Sequence, residues 1–392
     1  MINQLDIRNF KCFEALSLPL APLTLVTGFN AAGKSTALQT LLLLSQAIRQ
    51  GGISRLLPLN GELTHLGSPG DVVREGPSPV VRLGIRNADA QIEWHMVPED
   101  RQTGHTLTIK QIDWKIGSKP LMTVKVDGES ELSHLLTKDS PVMVQELRDN
   151  LKSTIFLSAV RAGAEHVFPS FEIPEPVWGD VGVQGEYAAW WFEKLLDEEV
   201  DLSRLHPSDS APTLRRQFNA WAGDLFPGAQ ANAQRISNTG LVQLELRNHD
   251  ADKWRRPANI GYGLSYAFPI LVAGLIARPG QILVIDSPEA HLHPMGQAKI
   301  GSFLAMLAVS GIQVILETHS DHVLSGVRLA IKNGMLTPEQ VAVHFFNPRP
   351  RNTSDPAHVV TPQIDKNGNF SEWPEGFFDQ AEKDLAKLAG WN

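Results

Sequence analysis

Cysteine is almost missing: the 392 residues contain one, Cys12. One thiol builds neither an intramolecular disulfide nor a cysteine zinc cluster, which fits a reducing compartment. The N-terminal stretch MINQLDIRNFKCF lacks the charged, then apolar, then small-residue order of a secretory signal. No apolar run reaches the roughly 20 residues of a membrane span. The longest candidate, LSYAFPILVAGLIA (264–277), is shorter and contains Pro269 and Gly274. Heptads for long coiled-coil arms are absent, and so is any repeat of fixed period. No second acidic cluster of the kind a nuclease centre uses is visible. Excess positive charge is absent too: 35 Lys and Arg face 43 Asp and Glu, a net −8. That argues against non-specific DNA binding by the whole surface and leaves a local basic groove for nucleic acid open. The expectation is a cytoplasmic protein with no membrane attachment.

What is present is an ordinary globular composition, 42% hydrophobic and 20% charged. The length suits two or three domains, or one elaborated domain. LTLVTG (23–28) reads as a short strand stopping at glycine, and GKSTALQTLLLLSQAIR (33–49) as a buried helix. Between 78 and 127, VVRLGIR, QIEWHMV, HTLTIKQIDWKI and LMTVKVD alternate and are parted by polar turns, which predicts an antiparallel sheet. From about 130 to 235 the pattern is helical and irregular, with a Pro-rich loop at 168–180. From 241 strands and helices alternate again: LVQLELR, a helix containing Pro269, ILVID, MGQAKIGSFLAMLAVS, IQVILETHS, DHVLSGVRLAIKNG and VAVHFF. Fully apolar strands in such units imply a buried parallel sheet and an α/β fold. A tail with an Asn-Gly turn and a short helix follows. The division expected is 1–130, 131–240 as a mainly helical insertion, and 241–392.

Gly28-Phe-Asn-Ala-Ala-Gly33-Lys34-Ser35 is a complete G-x-x-x-x-G-K-[ST] between a predicted strand and a predicted helix. The glycines let backbone N–H groups curl around phosphate, and the helix N-terminus adds its positive dipole end. Lys34 reaches the β- and γ-phosphates, Ser35 offers its hydroxyl to Mg²⁺, and Thr36 can contact the α-phosphate. ILVID ends in Asp286, the acid that holds Mg²⁺ through water in such proteins. His319, in Glu317-Thr318-His319-Ser320, ends the next strand and would reach the same sheet edge, where it can bond the γ-phosphate and the attacking water. Two glycines precede Ser265 at a helix start, a place that is either a plain N-cap or an anion site. Arg161, in FLSAVRAG, is either a salt-bridged residue or a contact to nucleotide or nucleic acid. A zinc or iron site from Glu289, His291 and His293, alternating onto one face of a strand, is a competing reading.

Taken together, these segments resemble the ABC-type P-loop ATPases. More narrowly, they resemble the SMC-like and overcoming-lysogenization-defect (OLD) branch, including stand-alone AAA-family ATPases of bacterial defence operons. LDIRNFKCFEALSLPLAPLTLVTGFNAAGKST and WPEGFFDQ carry the resemblance at the two ends. It implies an ABC-type core, with a parallel sheet plus an antiparallel β subdomain and a helical insertion. It implies that Gly28, Asn30, Ala31, Ala32, Gly33, Lys34, Ser35 and Thr36 bind ATP, and that Ser35 and Asp286 serve Mg²⁺. His319 would be the switch histidine. Gly263 and Ser265 would belong to the signature that contacts ATP held by another subunit, and His291–His293 to the D-loop. ATP would then be sandwiched in a homodimer or higher homo-oligomer.

The chain departs from the family at the catalytic glutamate, whose place is taken by Ser287. Glu289, two residues on, is the candidate replacement, or else a water held by Ser287 and His319. No glutamine in 59–72 can be the Q-loop glutamine; Gln39 and Gln46 both lie in the first helix. The expectation is a slow ATPase regulating an effector, a nuclease or toxin from the same operon, in anti-phage defence. An ATP-gated scaffold with negligible hydrolysis and a DNA-repair or nuclease-associated clamp are the alternatives.

Overall fold

The structure is a computed structural model. It describes residues 1–51, 54–76, 78–100, 104–128, 130–171, 177–348, 358–378 and 380–390. Part of the Pro-rich loop expected at 168–180 lies outside the described residues. The chain forms two compact units, Met1–Ala21 with Gly33–Thr154, and Pro22–Ala32 with Ile155–Asn392. The segment 131–240 is shared between them.

The first unit opens with β1 (Gln4–Phe10) and β2 (Phe13–Pro19). The chain then contributes β3 (Leu23–Gly28) to the second unit and returns as α1 (Lys34–Gln50). After β4 (Leu56–Pro58) and the single turn α2 (Pro69–Val72) come β5 (Val81–Arg86), β6 (Ala90–Pro98), β7 (Thr106–Ile116) and β8 (Met122–Lys125). The predicted antiparallel sheet is present and larger than expected. Its order is β2-β1-β5-β6-β7-β4, with β8 also on β7. Strict alternation of buried and partly exposed residues in β6 explains why the sequence shows it. A small pair, β9 (Leu132–Ser133) and β10 (Leu136–Thr137), precedes α3 (Val142–Lys152). α3 packs on α1, where Ser45 Oγ donates to the Leu151 carbonyl at 2.7 Å.

The second unit holds β11 (Thr154–Leu157), β12 (Val167–Pro169), α4 (Ala188–Leu195), α5 (Leu214–Leu225), β13 (Gln230–Arg235), β14 (Leu241–Arg247) and α6 (Tyr262–Ile276). It continues with β15 (Ile282–Asp286), α7 (Pro294–Val309), β16 (Gln313–Glu317), α8 (Asp321–Lys332), β17 (Val341–Phe346), β18 (Val359–Val360) and α9 (Gln380–Leu388). β15, β16, β3 and β17 run parallel in a sheet ordered β11-β15-β16-β3-β17-β18. Every residue of β16 is buried, as are the first four of β15 and the first five of β3. Burial on both faces is the reason these strands read as unbroken apolar runs. Pro269 lies inside α6, and Gly185 packs so tightly on it that a Cβ would stand 2.6 Å from the ring.

Candidate nucleotide site

β3 ends in a loop that only certain residues can make. Gly28, Ala31 and Gly33 all have positive φ, 122°, 60° and 102°. A Cβ on Gly28 would sit 2.3 Å from the Phe346 carbonyl oxygen, the atom that accepts from Phe29 N at 3.0 Å. Alternating backbone hands turn successive N–H groups toward one concave side, the geometry of an anion nest. α1 begins at once with Lys34, its N-cap is Gly33, and no side chain among the described residues caps it. The residues therefore fit a phosphate chain. Asn30, Ala31 and Ser35 are exposed, Thr36 is half-buried, Lys34 and Ala32 are buried, and the Ala32 carbonyl accepts from His358 Nε2 at 2.8 Å.

Strand register in the second unit places the other candidates. Asp286 pairs with Glu317, Glu317 with Val26, and Phe346 with Gly28. Asp286, the Glu317–His319 turn and the start of the glycine loop thus share the carboxyl edge of one parallel sheet. β16 stands between β15 and β3, so the aspartate strand is not the immediate neighbour of the loop strand. His319 is exposed there, followed by Ser320, whose hydroxyl caps α8.

The chain after Asp286 does not continue as a strand. Ser287 is left-handed, φ 51°, a conformation costing a non-glycine residue roughly 1–3 kcal/mol. Its N–H donates to the Glu317 carbonyl at 2.9 Å, and its hydroxyl donates to Asp286 Oδ1 at 2.8 Å. Side-chain alternation therefore ends at Asp286, and a turn carries Glu289 elsewhere. Glu289 Oε2 accepts from Thr318 Oγ1 and its Oε1 from His319 N, both at 2.8 Å. The glutamate thus ties its own turn to the His319 turn.

The same turn meets α6. His291, also left-handed at φ 62°, packs on Tyr266 and Tyr262, with ring centroids 4.5 and 5.5 Å apart. Gly263 is needed at this contact, since a Cβ would lie 2.9 Å from the His291 carbonyl and from the Phe226 ring. The N-cap of α6 is Gly261. Ser265 lies in the first turn, buried, its hydroxyl making only long bonds to the carbonyls of Gly261 and Pro257, 3.4 and 3.5 Å. The strand needed to align Glu289, His291 and His293 as metal ligands is absent. His293 instead caps α7, its Nδ1 accepting from Met295 N at 3.3 Å. Among the described residues, the one acid–histidine group close enough for a metal is Glu93, His95 and Asp113, on facing strands of the first unit's sheet.

Two further residues acquire definite places. Gln46 does not reach toward phosphate: buried, its Oε1 accepts from Leu63 N and Thr64 N at 3.0 and 2.9 Å, which folds the 61–64 turn. Arg161 is 4% exposed, and its Nη2 donates to the carbonyls of Asp286 and Ser287 at 2.6 and 3.1 Å. Its Nε and Nη1 are buried without a hydrogen-bond partner among the described residues. Burial draws this guanidinium down to about 10, while Asp286, Glu289 and Tyr266 favour its charge, so it stays cationic at neutral pH.

Residues 1–50 match a family described as "AAA ATPase domain". Residues 180–325 match "AAA domain, putative AbiEii toxin, Type IV TA system", and residues 336–388 a family of unknown function, DUF3696. The chain is 21% identical over 341 residues to the OLD nuclease of Thermus scotoductus, covering 82% of this chain and 59% of that protein. It therefore spans about three-fifths of that relative's length. It is 26% identical over 163 residues to the energy-coupling factor transporter ATP-binding protein EcfA of Methanococcus maripaludis, 40% of this chain and 56% of that one. A solved SMC head, crystallised with the C-winged helix domain of ScpA, superposes with a TM-score of 0.53 at 12% identity, covering 93% of this chain and 98% of that one. That likeness establishes the ABC-type fold. No helix among the described residues is long and apolar enough to cross a membrane.

Proposed function

We propose that the chain is an AAA-type P-loop ATPase of the SMC-like and OLD branch that binds and slowly hydrolyses ATP while dimerising around it. The observation that supports this best is the shared carboxyl edge of the parallel sheet, where the start of the glycine loop, Asp286 and the His319 turn come together. In this reading the loop from Gly28 to Gly33 cradles the phosphates and Lys34 neutralises them. Ser35 and Asp286 hold Mg²⁺, which when bound offsets charge on the β- and γ-phosphates. His319, exposed at the edge, orients the water. Ser265 and Gly263 present the α6 N-terminus to ATP on a second copy.

Glu289 acts in this scheme chiefly by holding the His319 turn in place, because both of its oxygens already accept hydrogen bonds. That same observation favours the second reading, an ATP-held scaffold with negligible turnover. Phosphate release by the pure protein, set against Lys34→Ala, separates the two. Release well above the variant sinks the scaffold. Light scattering of Asp286→Asn with ATP tests the dimer, and an unchanged monomer mass removes it. The description of the matched central family names a putative toxin of a type IV system; in our reading the ATPase regulates an effector, a nuclease or toxin from the same operon, in phage defence. Co-purification with the neighbouring gene product, gained or lost with ATP, checks that step.

A further inference from the structure

Arg161 is placed by a turn that the surrounding packing dictates. After β11 the chain is tied by Ser158 N and Ala162 N to the carbonyls of Val183 and Gln184, both at 2.9 Å. Gly163 then presses against α6, where a Cβ would stand 2.4 Å from the Tyr266 ring. Between these fixed points the Arg161 side chain has only the interior to enter. Its guanidinium lies 5.8 Å from the Tyr266 centroid, and one nitrogen holds two successive carbonyls, those of Asp286 and Ser287. A charge buried this deeply is costly, and what the protein gains from it must be the geometry its hydrogen bonds hold. The geometry in question is the left-handed Ser287, which ends β15.

Everything downstream hangs on that residue. Were Ser287 extended, Pro288 and Glu289 would continue along β15. Glu289 would then leave Thr318 and His319, and His291 would leave Tyr266. We propose that Arg161 is a positioning residue for ATP hydrolysis: it pins the Asp286–Ser287 main chain and so sets where the Asp286 carboxylate and the Glu289–His319 pair stand. The proposal rests on the ATPase reading above. Arg161 itself touches no nucleotide in this scheme; it acts through the turn.

The test measures three things on wild type, Arg161→Met, Arg161→Lys and Lys34→Ala: equilibrium binding of a fluorescent ATP analogue, steady-state phosphate release and thermal stability. Arg161→Met removes the donors at similar volume. Its kcat should fall about 100-fold, the scale of a misplaced catalytic group, with KM and nucleotide affinity within about threefold of wild type. Arg161→Lys keeps the charge and loses the fork, so kcat should recover to about a tenth of wild type. Wild-type turnover in Arg161→Met, or affinity falling in step with turnover, overturns the role. Should Arg161→Met not fold, Arg161→Lys decides, and full turnover in it is the overturning result. If wild type binds ATP without releasing phosphate, the readout becomes the ATP-dependent mass increase, which Arg161→Met should abolish and whose persistence overturns the proposal. A wild type that binds no nucleotide overturns the ATPase reading itself and the Arg161 role with it.

Discussion

The two edges of the second unit's parallel sheet are each secured by a buried arginine, and the two arginines are used differently. At the amino edge Arg204, 1% exposed, gathers the end of α6. Its Nη1 donates to the carbonyls of Leu275, Gly274 and Ala277, and its Nε donates to Ser310 Oγ just past α7. A cation on terminal carbonyls satisfies acceptors that a helix leaves open and suits the negative end of its dipole. At the carboxyl edge Arg161 serves two carbonyls of a turn instead, beside two carboxylates. The amino edge has helix ends to close; the carboxyl edge has a strained turn to hold. Under the proposed function, stability and chemistry are thus assigned to opposite ends of the same strands.

That division can be broken experimentally. Arg204→Ala should show the largest effect on folding, about 3 kcal/mol lost in urea titration, because several buried carbonyls lose their donor together. Phosphate release per folded molecule should be unchanged, and a large turnover defect would end the contrast between edges. Gly263→Ala should cost about 2 kcal/mol by overpacking on His291 and Phe226, and should also weaken the ATP-dependent mass increase that the proposed dimer would give in light scattering. Glu289→Gln turns an NH₂ toward one of two donors, so it should cost about 1 kcal/mol and slow phosphate release about tenfold. A thousandfold loss with unchanged stability would instead make Glu289 the general base. Ser287→Gly should show the smallest effect, a gain of up to about 1 kcal/mol in melting experiments, since glycine takes φ 51° without strain.

Much of this edge was legible before folding. The strand before Gly28, the complete loop motif, Asp286 at a strand end and His319 at the next one all follow from short apolar runs and local spacing. Fully buried strands cannot hide in sequence, because nearly every residue must be apolar. The turn after Asp286 was not legible. Ser-Pro-Glu offers no glycine to announce a positive φ, and with Pro288 in the way the pattern left open whether alternation continued past Asp286. Nor could spacing reveal that β16 lies between β15 and β3, or that β1, β2 and β4 join the antiparallel sheet, since strand order depends on long-range pairing. Gln46 was visible only as a helix residue; its bonds to the 61–64 turn need the turn folded beside it.

The sequence by itself determined which residues this chain offers for the proposed chemistry: a complete glycine–lysine–serine loop, an aspartate at a strand end and a histidine just past the next one. It did so because those functions demand particular residues at fixed local spacing. Tertiary structure decided what stands in the vacant glutamate place. Ser287 turns back onto Asp286 and Glu289 reaches the His319 turn because Arg161, more than a hundred residues earlier in the chain, holds two carbonyls there. A left-handed serine survives only where distant groups outweigh its local preference, and no local pattern records that balance.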